Sequence, residues 1–257
     1  MGCQPVAEAR RTIELLWFQE PVERRRGRRP GLSLARVVEA AIALADAKGL
    51  DAVSMRRVAQ ELGVVPMTLY TYVPDKATLL DLMLDRLYLR MPRAEKPDSS
   101  WRERLAAVAE DNRRLYEQHP WAAGLPATRP PLGPGLAAKY EHELRAFAGT
   151  GLDDVETDSA LTYLLAFVQA SGRAEGDARA AAERTTQTDG QWWAENGPVL
   201  ATVFKPEVYP TATRIGSAAG EALGGAVNPL HAYEFGLARV LDGLGVLIDS
   251  APTRSGQ

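Results

Sequence analysis

The sequence predicts an all-α protein, in which an N-terminal three-helix helix-turn-helix domain is joined by a shared helix to a larger helical domain. Apolar residues recur at the three- and four-residue spacing of helices along most of the chain. No alternation of apolar and polar residues reaches the length of a useful strand. Residues 54–73 hold two short apolar patterns separated by a glycine, a pattern typical of two helices that meet at a steep angle.

Residues 1–31 are expected to form an N-terminal extension. Its apolar cluster at residues 13–18 indicates a short helix, and the sequence alone gives that helix no place in the fold. Residues 24–29 hold five arginines in six positions. Arg26, Arg28 and Arg29 resemble the short arms that enter a narrow minor groove. The alternative is a solvated charge run, and either form adds salt-dependent affinity for DNA.

Residues 32–91 are expected to form the helix-turn-helix domain. Ser33 is a suitable N-cap for its first helix, and Gly49 ends that helix. The next two helices are predicted at about residues 54–62 and 65–72. Pro74 suits the first position of a fourth helix, which runs to about residue 89. That helix is apolar over much of its circumference, so we expect it to be wedged between two domains.

The helix-turn-helix rests on a small residue at the helix crossing and a glycine at the turn. Ala59 permits the close approach, and Gly63 suits a backbone position with positive φ. The first helix then presents the apolar stripe Met55, Val58 and Leu62. The facing stripe after the turn is Val64, Leu69 and Tyr72.

The remaining residues of the second helix face outward, where a DNA-reading helix meets the major groove. We expect Val65 and Met67 to contact thymine methyl groups, and Thr68 to contact a base edge or a thymine methyl. The residues that suit phosphate contacts are Tyr70, Thr71, Lys76, Arg56 and Arg57. For Arg56 and Arg57, of which one is expected to contact a phosphate, the alternative is a solvated arginine. The helix itself contains no Arg, Asn or Gln for bidentate base contacts. Its residues therefore suit phosphate contacts, which position the protein on DNA, better than base contacts, which specify the sequence.

The charge is unevenly divided along the chain, although the net charge is only −3. Residues 1–30 hold seven Arg and four Glu, a balance of +3, and residues 31–91 are balanced. Residues 92–257 hold sixteen basic and twenty-two acidic residues, a balance of −6. The basic excess therefore lies beside the helix-turn-helix, and repulsion of the acidic remainder from DNA favours one docking orientation.

Residues 92–257 are expected to form a helical ligand-binding and dimerisation domain. Helices are predicted at about residues 101–119, 136–148 and 229–248, and Asp153 with Glu156 forms a capping box for a helix that extends to about residue 184. Residues 120–135 are rich in proline and glycine and are expected to be a loop. Residues 187–204 suggest a short helix pair, and residues 206–228 suggest a mobile segment.

This domain offers aromatic side chains and no catalytic cluster. The aromatic candidates for the lining of an effector pocket are Tyr116, Trp121, Phe147, Tyr163, Phe167, Trp192 and Trp193. Arg113 and Gln169 are the polar candidates. For each of them, core packing or solvent exposure is the alternative.

The stretch LSLARVVEAAIALADAKGLDAVSMRRVAQELGVVPMTLYTYVPDKATLLDLMLDRLYL, residues 32–89, resembles the DNA-binding domain of TetR-type transcriptional repressors. TLYTYVPDK at residues 68–76 is similar to the family signature, whose matching tyrosine and lysine contact the DNA backbone. HPWAAGLPATRPPLGPG and YEFGLARVLDGLGVLI carry a weaker resemblance to the helical effector domain of one TetR subgroup. The resemblance implies a four-helix dimer interface from the long helix and the last helix of each subunit. The candidate interface residues are Leu161, Leu165, Val168, Leu237, Leu241 and Leu244.

Composition argues against several other classes. One cysteine and three widely separated histidines predict neither a disulfide framework nor a metal site. No apolar run approaches the 18 residues of a membrane span, and the N-terminus lacks a convincing signal peptide, so a cytoplasmic protein without membrane contact is expected. No nucleophile–base pair or phosphate-binding glycine loop indicates an enzyme, and no cofactor is expected.

The expected function is that of a homodimeric repressor on a palindromic DNA operator, released by a small apolar or aromatic effector. Two alternatives stay open from the sequence. The first is a DNA-binding protein that responds to no ligand, and the second is an enzyme with an appended DNA-binding domain.

Overall fold

The computed structural model describes residues 6–18, 32–93, 96, 98–126, 129–185, 187–225 and 228–250. Within these ranges the chain is helical and contains no strand, so the all-α prediction is confirmed. No helix in these ranges has both the length and the apolar character needed to cross a membrane.

The N-terminal part consists of α1 (Val6–Trp17), α2 (Leu34–Lys48), α3 (Met55–Glu61), α4 (Pro66–Tyr70) and α5 (Lys76–Arg90). Ser33 caps α2 through its side chain and Gly49 ends it with φ 77°, as expected from the sequence. A 3₁₀ turn at Leu50–Ala52, which the sequence pattern did not indicate, leads into α3. The prediction that α5 begins at Pro74 is wrong. Asp75 is its N-cap, because the carboxylate accepts a hydrogen bond from the Thr78 backbone at 2.7 Å.

The C-terminal part consists of α6 (Trp101–Gln118), α7 (Pro120–Ala123), α8 (Pro134–Arg145), α9 (Asp154–Thr185), α10 (Asp189–Val203), α11 (Pro210–Leu223) and α12 (Pro229–Ser250). α6, α9 and α12 pack against one another, while α8 packs on α5. The capping pair predicted for α9 is present, since the Glu156 N–H donates to the Asp153 carboxylate at 2.8 Å and the Asp153 N–H donates to the Glu156 carboxylate at 3.1 Å.

Three predictions for this part are wrong. The predicted loop at residues 120–135 contains α7 and the start of α8, and a proline occupies the first turn of each helix, where its missing N–H costs nothing. The predicted helix pair at residues 187–204 is the single helix α10, which continues through Pro198. Most of the segment expected to be mobile, residues 206–228, is α11.

The helix α5 lies in the centre of the molecule, as its apolar circumference predicts. Leu79, Leu82 and Met83 are fully buried in it. It packs against α2 on one side and α8 on another, so it belongs to both parts. α1 also packs on α5, where the Thr12 and Thr78 hydroxyls lie 3.2 Å apart. The indole of Trp17 donates to the Leu132 carbonyl at 2.7 Å, which places α1 across the two parts.

Candidate DNA interface and its connection to the helical domain

The helix-turn-helix has the geometry that its sequence predicts. Ser54 caps α3 by accepting a hydrogen bond from the Arg57 backbone at 3.3 Å. Ala59 is fully buried where α3 meets α4, and Gly63 has φ 68° in the turn. Of the predicted stripes, Met55, Val58 and Leu69 are buried, and the other three members are half-buried. The two helices are therefore held by apolar packing and by a turn that favours glycine.

The outward face of α4 is apolar and open. Val65 is 65% exposed, Met67 is 74% exposed and Tyr70 is 44% exposed, while Thr68 is half-buried beside them. Large apolar side chains concentrated on so short a helix are typical of a surface that meets a partner. Thymine methyl groups in a major groove are an apolar partner of this kind.

The hydroxyl of Thr71 donates to the Thr68 carbonyl at 2.7 Å. The Thr71 hydroxyl proton is therefore used in a hydrogen bond within the chain, and only the lone pairs of the oxygen are available to a partner. This limits Thr71 as a phosphate donor, because a phosphate oxygen needs a donor. Sequence reasoning treated this hydroxyl as free, since a bond back to the preceding turn depends on the local side-chain rotamer.

The cationic candidates flank α4. Arg56 and Arg57 are exposed on the first turn of α3, and Lys76 is the exposed first residue of α5. A lysine at a helix N-terminus opposes the positive end of the helix dipole, so its place is unfavourable without a nearby anion. Arg26, Arg28 and Arg29 lie outside the described residues.

The structure distributes the predicted effector residues over different places. Tyr116, Trp121 and Phe147 are buried. Tyr163 is 60% exposed and Trp192 is 45% exposed, so both face away from the interior of the subunit. Trp193 lies with Phe204 on the wall of a cavity of about 770 Å³ between α10 and α11, which is otherwise lined largely by glycine and alanine. The nine candidates therefore do not form one pocket.

One of these candidates, Trp121, connects the helical domain to the DNA-binding part, and a second, Gln169, supports it from within the helical domain. Asp46, on α2, accepts hydrogen bonds at 2.7 Å from the Trp121 indole and, in one tautomer, from Nδ1 of His119. Behind them, Gln169 of α9 donates to the Ala123 and Leu125 carbonyls at 3.1 and 2.7 Å. We call the pairing of Asp46 with His119 and Trp121 the α2–α7 latch. Sequence reasoning missed it because its partners are more than 70 residues apart.

A buried polar group lies between α5, α6 and α8. Nζ of Lys139 donates to Glu143 at 2.7 Å, and the Asn112 amide donates to the other Glu143 oxygen at 2.6 Å. The ammonium also lies 5.3 Å from the centre of the Tyr88 ring. Burial lowers the pKa of Lys139, and its ion pair with Glu143 opposes that shift. No sequence pattern indicates this group, since lysine and glutamate four residues apart are usually a solvated pair.

The remaining candidates, Arg113 and Phe167, lie together where α6, α9 and α12 meet. The Phe167 ring stacks on Tyr233 with centroids 5.9 Å apart and planes at 15°. The Arg113 guanidinium lies 5.5 Å from the centre of the Tyr233 ring. Tyr233 was absent from the predicted site, although its place in the last helix puts a polar hydroxyl inside an apolar stripe.

Most of the predicted dimer residues lie inside the subunit. Leu161, Val168, Leu241 and Leu244 are buried in its own core. Leu165 and Leu237 are half-buried and pack against that core. An apolar stripe on a helix packs equally well against the subunit's own core or against a partner subunit. The sequence pattern therefore does not distinguish core residues from interface residues. Other apolar side chains of α9 and α12 are exposed, among them Tyr163 at 60%, Phe235 at 59% and Val246 at 74%.

Comparison with known proteins agrees with this architecture. Residues 37–83 match the family model "Bacterial regulatory proteins, tetR family", and residues 92–248 match "Tetracyclin repressor-like, C-terminal domain". The chain is 40% identical over 250 residues to the HTH-type transcriptional repressor DrrR1 of Streptomyces coeruleorubidus, an alignment that covers 94% of this chain and 89% of that protein.

Solved structures show the same fold. The TetR family protein ActR of Streptomyces coelicolor in complex with actinorhodin has a TM-score of 0.71 at 25% identity, covering 87% of this chain and 100% of that one. BioQ, a Mycobacterium smegmatis protein, with its natural double-stranded DNA operator has a TM-score of 0.51 at 27% identity, covering 61% of this chain and 93% of that one. With its helix-turn-helix, its shared central helix and matches to both family models, this chain belongs to the TetR family of bacterial transcriptional regulators.

Proposed function

We propose that this protein is a ligand-responsive repressor that binds a palindromic operator as a homodimer and leaves it when a small apolar or aromatic effector binds the helical domain. The observation that carries the DNA-binding half is the open apolar face of α4 between the exposed cations Arg56, Arg57 and Lys76. The relative DrrR1 is named a repressor, and ActR is known in complex with actinorhodin.

The proposed dimer follows from the size of the reading head and from the open faces of α9 and α12. One α4 spans five residues and covers only half of a typical operator. Tyr163, Phe235 and Val246 would stay largely exposed to water in an isolated subunit. A two-fold arrangement of α9 and α12 would bury them and would place two α4 helices about 34–36 Å apart, in successive major grooves.

The proposed response to the effector is a change in the distance between the two α4 helices. α5 belongs to both parts of the subunit, and the α2–α7 latch ties the helical domain to α2 a second time. An effector that favours a state with the wrong spacing by about 1–3 kcal/mol lowers operator affinity by about 5- to 150-fold.

The experiment that tests this function is an in vitro selection of random duplex DNA at fixed salt. We expect a palindromic site with half-sites about one helical turn apart. That site then serves as the probe in a screen for compounds that release the protein. Recovery of A·T-rich DNA without symmetry would contradict the dimeric repressor, as would a screen in which saturating ligand alters neither operator affinity nor the distance between the α4 helices.

A further inference from the structure

A cavity of about 770 Å³ lies between α10 and α11, and contacts between the ends of the two helices bound it on two sides. On one side the rings of Phe204 and Tyr209 stack with centroids 4.9 Å apart and planes at 15°. On the other side a Cβ added to Gly190 would lie 3.1 Å from the Gly224 carbonyl oxygen. We call the space between these two contacts the α10–α11 cleft. Its volume is within the range of about 300–1,000 Å³ that is typical of small-molecule sites.

The walls of the α10–α11 cleft suit a flat molecule. Glycine and alanine contribute most of its lining, so the helix surfaces that face it carry few side chains. A Cβ added to Gly220 would meet no atom of the described residues within 4 Å, so a ligand has room to contact the backbone there. The Trp193 indole lines the cleft from α10. A planar ring system makes the largest contact with such walls and stacks on the indole.

Polar acceptors follow α11 along the cleft. Thr213, Ser217 and Glu221 line it and are four residues apart, which places them in one row on the helix. The Thr213 hydroxyl donates to the Tyr209 carbonyl at 2.8 Å, so its oxygen is left as an acceptor. Among the described residues that line the cleft, Glu221 is the only charged one, and it makes no hydrogen bond or ion pair with another described residue. The cleft therefore favours a ligand with N–H donors and a positive charge.

We propose that the α10–α11 cleft binds a planar, fused-ring aromatic cation, whose rings lie against Trp193 and Gly220 and whose N–H groups face Glu221. The inference rests on the proposed function in one respect, that the helical domain binds an effector, and it names the place and the chemical class of that effector. Both helices of the cleft belong to the segment that joins α9 to α12, the helices of the proposed dimer. A ligand that draws α10 and α11 together acts on that dimer and, through it, on the distance between the α4 helices.

The first test varies the ligand. It compares 9-aminoacridine with tacrine, the same cationic amine with one ring saturated and puckered, and with 9-anthracenecarboxylate, which is planar and anionic. Isothermal titration calorimetry measures the affinity of each compound for the full-length protein without DNA. We expect 9-aminoacridine to bind about fivefold more tightly than tacrine, because it alone of the two is planar over three rings. It should bind about tenfold more tightly than 9-anthracenecarboxylate, whose charge Glu221 repels.

The second test varies the cleft. Gly220→Leu places a side chain in the cleft at a helical position that has room for it. It should weaken 9-aminoacridine about tenfold or more, and it should keep or raise the thermal midpoint, because leucine favours helix more than glycine does. The matched control is Ala218→Leu, which adds a side chain to α11 outside the lining of the cleft and should leave the affinity unchanged.

Two further variants test the aromatic wall and the charge. Trp193→Ala should weaken 9-aminoacridine about tenfold through the loss of the stacking surface. Glu221→Gln should weaken it about threefold at low salt and less at high salt, because Glu221 is exposed and its charge is screened. The same variant should narrow the advantage of 9-aminoacridine over 9-anthracenecarboxylate.

Several outcomes would overturn the proposed site. They are equal affinity of 9-aminoacridine and tacrine, equal affinity of 9-aminoacridine and 9-anthracenecarboxylate, and failure of 9-aminoacridine to bind up to its solubility limit. Undiminished binding of 9-aminoacridine by Gly220→Leu would place the compound elsewhere. If Gly220→Leu lowers the thermal midpoint, undiminished binding by Trp193→Ala decides against the site instead. Operator affinity of the same preparations separates the two proposals, because wild-type protein that binds no operator sinks the proposed function, while operator binding without discrimination among the three compounds sinks only this inference.

Discussion

Lys76 occupies a position that helix electrostatics disfavours unless an anion lies close by, since it is the first residue of α5. We therefore expect Lys76→Ala to weaken operator binding about equally across operator variants and to reduce the slope of log affinity against log salt by about one per subunit. Fluorescence anisotropy over a salt series measures both quantities. Lys205→Ala, which removes an exposed lysine after α10, is the control and should change neither. An unchanged slope in Lys76→Ala would show that this lysine does not contact a phosphate.

The shifted pKa of the Asp81 carboxyl group makes the free energy of unfolding depend on pH. Burial, with a smaller effect of Asp75, raises its pKa from 3.8 to about 6. The folded state thus holds this proton more tightly than the unfolded chain does. The resulting stability is fully present below pH 4 and is lost as pH rises through 6. Two pKa units correspond to about 3 kcal/mol, and partial solvent exposure reduces this to about 1–2 kcal/mol.

We expect Asp81→Asn to be more stable than the wild type at pH 7 and to lose that advantage near pH 4. Urea denaturation of both proteins at several pH values measures the difference between their free energies of unfolding. Because the other carboxyl groups are the same in both proteins, this difference reports on Asp81 alone. Glu207→Gln, at an exposed position, should show no such difference. A constant difference between wild type and Asp81→Asn from pH 4 to 7 would contradict the shifted pKa.

Among the helices, the contact of α8 with α5 depends on glycine. A Cβ added to Gly135 would lie 2.0 Å from the Asp85 backbone oxygen and 2.9 Å from the Leu89 nitrogen. The Asp85 carboxylate also accepts a hydrogen bond from the Leu136 N–H at 2.9 Å, so it caps the start of α8. Gly135→Ala should therefore force the two helices apart and cost about 1–3 kcal/mol.

The matched control for Gly135→Ala is Gly216→Ala in α11, where an added Cβ meets no atom of the described residues within 4 Å. That change should be neutral or should stabilise by up to about 1 kcal/mol through helix propensity. Urea denaturation measures both variants. Equal stability of the two would show that α8 does not need its close approach to α5.

The α2–α7 latch makes a second prediction at the scale of helices. Asp46→Ala removes the acceptor of His119 and Trp121 and leaves the surface of α4 unchanged. We expect operator affinity without effector to stay within a few-fold of the wild type. The effector-induced loss of operator affinity should fall from the 5- to 150-fold range towards one, because α2 no longer follows α7.

The latch prediction is measured by operator anisotropy, with and without the compound found in the release screen. Asp51→Ala, an exposed aspartate in the 3₁₀ turn, is the control and should keep the full response. A full response in Asp46→Ala would mean that the α2–α7 latch does not carry the signal between the two parts.

For the molecule as a whole, the open faces of α9 and α12 predict the oligomeric state. Val246 is 74% exposed in the single chain. A charge placed there would be desolvated in the proposed dimer, so Val246→Glu should shift it towards the monomer. Sedimentation velocity measures the shift. Val203→Glu on α10 alters a side chain of similar exposure outside α9 and α12, and it should leave the dimer intact. Dissociation by both variants would mean that the interface extends over α10.

The relation between sequence and structure differs from one part of the molecule to another. Ser33 and Gly49 at the ends of α2, Gly63 in the turn and Asp153 with Glu156 before α9 were all predicted. Each depends on chemistry between residues a few positions apart. The helix α10 was predicted as two short helices and α11 was missed, because proline and glycine disfavour helix locally while the surrounding chain can still continue it.

By itself, the sequence determined the all-α class, the helix-turn-helix and the outward face of α4, because these follow from periodicity, capping and one turn glycine. Only the tertiary structure decided which apolar stripes face the subunit's own core, since Leu161 and Leu241 have the same pattern as a dimer seam would have. The tertiary structure also brought Asp46 to Trp121 and Phe167 to Tyr233. Contacts between residues so far apart depend on how helices pack, and no local pattern encodes that packing.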